Sequence, residues 1–181
     1  MSGANLITPH GGYRKLKSYQ AATIIYDFTF HFCKSFINDY RLRDQMVHAA
    51  RSGRQNIAEG CQASGVSKKS EIKLVNVARA SLEELLCDYE DFLRQRDLEQ
   101  WPKDHPTAEA VRALAYSENR SYKTYETYIA DRSAAANTAI CLIHQACYLL
   151  DKQLVALGNE FLQQGGFTER MYKKRREERG H

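Results

Sequence analysis

Apolar residues recur in alternating steps of three and four along four long stretches of the chain, and nowhere do they alternate in the strand manner. In the first stretch the seam is Leu16, Tyr19, Thr23, Tyr26, Phe30, Cys33 and Ile37. Ile24, Ile25, Phe28, Phe32 and Phe36 widen it, which predicts a helix over about 16–37 that meets neighbours on more than one side. A second helix, about 41–60, would bury Leu42, Met46, Ala49, Gly53 and Ile57, and its small residues would let another helix come close. Gly60 suits a helix C-terminus, Ser64–Ser67 reads as a turn, and Ser67 is the best N-cap for the next helix. That third helix, about 67–95, carries Ile72, Val75, Ala78, Leu82, Leu85, Tyr89 and Phe92. The fourth, about 131–164, carries Ala135, Ala139, Leu142, Ala146, Leu149, Gln153 and Ala156, with Ile143, Leu150, Leu154 and Leu157 beside them. Spacing near 3.5 residues favours shallow, left-handed helix packing.

Between the third and fourth helices, residues 96–130 lose the pattern. Pro102 and Pro106 forbid one continuous helix there, and Ala108–Tyr116 could form a short one. The predicted organisation is all-α: a flexible lead (1–12), an up-down-up-down four-helix bundle with a decorated third connection (13–166), and a basic tail (167–181).

Two motifs narrow this further. Asn56-Ile57-Ala58-Glu59-Gly60 closes the second helix, and Ala80-Ser81-Leu82-Glu83-Glu84-Leu85 lies within the third. With the surrounding Tyr13–Leu93, they resemble the bacterial four-helix-bundle proteins encoded in intervening sequences of large-subunit ribosomal RNA genes. Thr127–Arg179 looks like the C-terminal extension of the four-helix-bundle suffix subgroup. A relative of that family is the accessory variability determinant of diversity-generating retroelements, a ring-like pentamer that associates with a reverse transcriptase and with nucleic acid. The resemblance implies a homo-oligomer, with a pentamer first in line, and RNA, DNA or a protein such as a reverse transcriptase as partner.

Composition agrees with a single globular domain: 43% of residues are apolar and 27% charged. No run of eighteen apolar residues predicts a membrane span, and the N-terminal residues lack the apolar core of a secretory signal. Five cysteines without a CxxC pair, Cys33, Cys61, Cys87, Cys141 and Cys147, suit a reducing cytoplasm. The net charge of +4 is uneven. Residues 1–40 and 41–60 each contribute +2 and residues 168–181 contribute +3, while Glu83, Glu84, Asp88, Glu90 and Asp91 crowd the second half of the third helix. Candidate phosphate contacts are therefore Arg14, Lys15 and Lys17, then Arg41, Arg43, Arg51 and Arg54, and in the tail Arg170, Lys173, Lys174, Arg175 and Arg176. A solvated charged surface is the alternative, and it would leave a structural or protein-interaction module.

Catalytic and metal chemistry find little support. Gln45, Ser52, Asn56 and Glu59 on the second helix and Ser81 and Glu84 on the third form a polar signature near the apolar faces. Read as chemistry, Glu59 and Glu84 would be an acid–base pair; read as structure, the group fixes helix register by hydrogen bonds. The structural reading is preferred, because no nucleophile or phosphate loop accompanies the carboxylates. The Glu-x-x-His spacing of di-iron bundles occurs only as Glu178-x-x-His181 at the terminus, and Cys141, His144 and Cys147 drift around a helix by about 60° per step. No metal, cofactor or enzymatic activity is expected. Tyr116, Tyr122, Tyr125 and Tyr128 could stack on single-stranded bases beside Arg120, Lys123 and Arg132 or pack the connection onto the bundle, and packing is favoured because the segment is net acidic.

Overall fold

A computed structural model describes residues 11–180. Among them every regular element is helical: α1 Lys17–Phe36, α2 Tyr40–Ala63, α3 Lys68–Arg94, α4 Pro106–Ala113, α5 Arg132–Gln164 and α6 Phe167–Glu178. Short 3₁₀ turns fill the N-terminal approach and the connection before α5. Of the expected lead, 1–12, only Gly11 and Gly12 lie within the described residues, both with positive φ.

Polar side chains start the helices where the sequence places them. Asp39 accepts from Leu42 N, Ser67 from Ser70 N and Asp131 from Ala134 N, each satisfying a donor left over in the first turn. α4 begins earlier than expected, because Pro106 occupies its first turn, where a missing N–H costs nothing, and His105 caps it.

The four long helices touch in cyclic order, α1 on α2, α2 on α3, α3 on α5 and α5 on α1. Side-chain pairs give their sense. Lys68 meets Glu160 while Arg79 meets Asp151, so α3 and α5 run oppositely. Ser81 of α3 meets Ser52 of α2, and Leu74 and Val75 lie against Gly60, so α2 and α3 do too. Ser18, at the start of α1, donates to Gln153 late in α5 at 2.7 Å.

Two expectations are corrected here. Gly60 does not end α2, which continues to Ala63. A Cβ at Gly60 would sit 3.3 Å from both the Glu71 carbonyl and Leu74 Cβ, so this glycine serves a close helix crossing and not a cap. In α1 the residues expected to widen the seam are its centre: Ile24, Ile25, Phe28 and Phe32 are buried, whereas Phe30 is half exposed. The helix is wedged between α2 and α5, and Tyr89 of α3 adds its ring 4.8 Å from that of Phe32.

The connection packs down through its tyrosines. Tyr125 is fully buried and Tyr122 stacks on His31 of α1 with ring centroids 4.3 Å apart, whereas Tyr116 is 91% exposed. α5 has the length and mean hydropathy of a membrane-crossing helix, but Ala135, Ala139, Ile143, Ala146 and Leu150 are buried in the contacts with α1 and α3. The cysteines are unbridged. Burial pushes the Cys33 thiol up to about 12 and that of Cys147 up to about 11, so both remain protonated and unreactive.

Candidate functional site

The opposed runs of α2 and α3, and of α3 and α5, bring distant segments together at each end of these helices. One end carries the start of α1, the α2–α3 turn and the last part of α5, as shown by the Cys61 thiol bonded to the Gly11 carbonyl (3.2 Å) and by the Lys68–Glu160 pair (3.2 Å). Arg14 and Lys15 lie here, exposed in the 3₁₀ turn Tyr13–Lys15, with Arg14 over the Tyr13 ring at 4.7 Å. Lys69 and Lys73 join them from the first half of α3. Summing charge over the whole third helix hides these two behind the acidic residues of its second half; reading the helix by halves would have found them. α6 departs from this same end after Gly165, which has φ 70°, and Gly166. It carries Lys173, Lys174, Arg175 and Arg176; the Arg170 side chain lies outside the described residues.

The basic residues of α2 do not form one patch with this group. Arg41 and Arg43 stand at the far end of the helix, about 27 Å from Cys61 at 1.5 Å per residue. Arg43 lies over Tyr40 (5.5 Å), and Arg54 lies over Tyr26 of α1 (4.4 Å) with its Nε buried and unbonded among the described residues. Arg54 thus acts partly as packing, its guanidinium face covering an aromatic ring. Arg51 is exposed midway, and Lys17 faces a cavity on another side.

The polar signature occupies the opposite flank of α2, facing α3. Ser81 Oγ donates to Ser52 Oγ (3.1 Å), and Asn56 Nδ2 reaches back to the Ser52 carbonyl (2.9 Å) and hydroxyl (3.1 Å). Gln45 and Glu84 line an open groove of about 540 Å³ above this knot, together with Asp44, His48 and Asp88. Glu59 is different: it is exposed on α2 and makes no hydrogen bond or ion pair among the described residues. It stands seven residues, about 10 Å along the axis, beyond the Ser52 position where α2 meets Ser81, so Glu59 and Glu84 do not form an acid–base pair. Burial, then the carboxylates of Asp91 and Glu84, hold the Asp88 carboxyl above its usual range. Among the described residues no three His, Cys, Asp or Glu side chains converge as a metal site; His144 is exposed while Cys147 is buried.

At the basic end one ion triad is built into the packing. Lys68 Nζ lies 2.9 Å from Glu71 Oε2, an ion pair without hydrogen-bond alignment, and 3.2 Å from Glu160 Oε2. Burial works against the Lys68 charge, but the two carboxylates outweigh it and hold its ammonium above the ordinary range. Glu71 is buried, and that burial raises its carboxyl despite Lys68.

Such a protein, all-helical, with a close-packed α2–α3 hairpin, a serine–asparagine knot at its seam and charge divided by end, is defined most by that hairpin and α1. These are also the elements that one family comparison matches. Residues 15–98, just under half of the chain, match the family model of the 23S rRNA-intervening sequence proteins. No curated protein and no solved structure matches the chain.

Proposed function

We propose that this protein is a non-enzymatic accessory protein whose four long helices form an up-down-up-down bundle and whose basic end binds the backbone of a nucleic acid or ribonucleoprotein. The observation that carries the reading is the gathering of Arg14, Lys15, Lys69 and Lys73 at the end from which the basic α6 departs, with the acidic half of α3 at the other. The basic group at this end offers a polyanion one face, whereas Arg41 and Arg43 at the other end stand with the acidic half of α3. Assembly into a homo-oligomer, with the pentamer of the resembling accessory protein as its pattern, would multiply the phosphate contacts. A cytoplasmic setting and a protein partner such as a reverse transcriptase complete this proposal.

The test is a mobility shift with RNA and DNA across salt concentrations. Each neutralised phosphate contributes about −0.9 to the slope of log affinity against log salt on duplex DNA, or about −0.7 on single strands. Replacing Lys173, Lys174, Arg175 and Arg176 by alanine should weaken binding to all sequences alike and flatten the slope. Absence of any shift by the wild-type protein at about 50 mM salt, where such binding is strong, ends the reading.

A protein-interaction module is the second reading, and one observation favours it. Tyr148, Val155 and Leu162 repeat every seventh residue on the outer face of α5, with 62%, 62% and 82% of each exposed. Heptad-spaced apolar residues left in water are what a partner helix covers. Alanine at all three should abolish a protein complex while leaving the salt slope with nucleic acid unchanged.

A further inference from the structure

A second, larger cavity is lined mostly by residues C-terminal to the matched segment 15–98, with Lys17 and Ala21 of α1 contributing from within it. It measures about 970 Å³ and opens between the start of α1, α4 with its flanking loops, and the middle of α5. That is at the upper end of the range for small-molecule sites, about 300–1,000 Å³. Its wall is mostly apolar: Ala108, Ile140 and Leu149 form part of it, and Trp101 stands at one side, stacked on His105 with centroids 4.9 Å apart. Tyr116 and Tyr148 present largely exposed rings at its edge. Four cations, Lys17, Lys103, Arg112 and Arg120, face one carboxylate, Glu109.

The cations hold no counter-charge of their own. Among the described residues none of the four forms an ion pair. The two arginines are nevertheless held in place: Arg112 donates to the Lys103 carbonyl, and Arg120 to the Tyr125 hydroxyl at 3.3 Å. A buried tyrosine thus anchors one guanidinium, and a loop carbonyl the other. An apolar, aromatic-edged hollow with several positioned cations and a single carboxylate is complementary to one kind of molecule. The apolar wall takes a flat body, and the guanidinium and ammonium groups take its charge.

We propose that this cavity binds a small organic anion, a flat aromatic body bearing one acidic group. Lys17 stands near the basic end, but Lys103, Arg112 and Arg120 come from the segment between α3 and α5, so occupancy of the site does not depend on nucleic-acid binding. The test uses 8-anilinonaphthalene-1-sulfonate as the probe and its uncharged analogue N-phenyl-1-naphthylamine as the control. The chain holds one tryptophan, so its indole N–H gives one cross-peak in a ¹H–¹⁵N spectrum, and that peak reports on the cavity. The sulfonate should shift it saturably, with one molecule bound per chain. Lys103→Gln/Arg120→Gln should weaken the sulfonate by about tenfold or more, the effect of losing charge-assisted hydrogen bonds, and leave the uncharged analogue unchanged. Ala113→Phe, which narrows the cavity from the end of α4 without touching a cation, should weaken both. An unmoved indole peak at saturating probe overturns the proposal. So does equal sulfonate affinity in the wild type and the two variants, each shown by circular dichroism to be folded.

Discussion

Replacing Gly53 by alanine should destabilise the protein in its natural background and stabilise it once Leu82 has been shortened. A Cβ built at Gly53 falls 2.7 Å from Leu82 Cδ2 and 2.9 Å from Leu82 Cγ, closer than real side chains approach. Leu82 is fully buried, so it has little room to retreat. Overpacking of this kind costs about 1–3 kcal/mol. Against it stands the intrinsic preference of a helix interior for alanine over glycine, about 1 kcal/mol. Gly53→Ala alone should therefore cost up to about 2 kcal/mol. Leu82→Ala alone removes the obstructing atoms and leaves a cavity, at about 2–5 kcal/mol. In that background both close contacts are gone, and the new methyl meets the Ala78 carbonyl at 3.6 Å, an ordinary contact. The helix preference then acts unopposed, and Gly53→Ala should stabilise by about 0.5–1 kcal/mol. Urea denaturation of the wild type, both single variants and the double variant closes the cycle, provided the slope with denaturant stays constant. Equal destabilisation by Gly53→Ala in both backgrounds would show that the close crossing of α2 and α3 is not set by the Gly53–Leu82 contact.

The buried polar groups give three further outcomes. The fully buried Tyr89 hydroxyl donates to Thr29 Oγ1 at 2.9 Å, so Tyr89→Phe should cost about 1–3 kcal/mol by urea denaturation, and adding Thr29→Val should recover part of it. Lys68→Met strips the counter-charge from Glu71; it should destabilise by about 1–3 kcal/mol near neutral pH and much less at acidic pH, where Glu71 takes up a proton. Asp88 has a folded pKa above its unfolded value, so the folded state binds the proton more tightly and stability falls as pH rises through that window. Asp88→Asn should raise the melting temperature near pH 7 and flatten its decline between acidic and neutral pH; an unchanged profile would place the strain elsewhere.

The four long helices were legible because each buries a continuous face, and burial writes the 3.5-residue spacing directly into the chain. Val75, Ala78, Leu82, Leu85, Tyr89 and Phe92 of α3 are buried as expected, and Ile72, at the start of that face, is partly buried. What the pattern could not reveal was which of two adjacent faces is inside when both are apolar. In α1, Tyr26 and Phe30 score as hydrophobic beside Ile25 and Phe28, and only the position of α5 decides between them. Gly60 was misplaced for a related reason. A glycine is cheap at a helix end and necessary at a tight crossing, and the residues that distinguish the two cases, Glu71 and Leu74, lie in the next helix.

The candidate sites show the same limit at longer range. The basic residues were visible one by one, but a segment charge averages over a helix whose two halves point to opposite ends of the bundle. Lys69 and Lys73 are therefore outweighed by the acidic residues of the same helix, and segment charge does not tell that a helix length separates Arg41 and Arg43 from Arg14. The large cavity had no sequence signature at all, since Lys17, Trp101, Arg112, Arg120 and Tyr148 come from separate segments with no common spacing. Local pattern encodes what each helix buries. Sites assembled across helices, where function is sought, depend on which ends are brought together, and in this protein the antiparallel order of the long helices decides that.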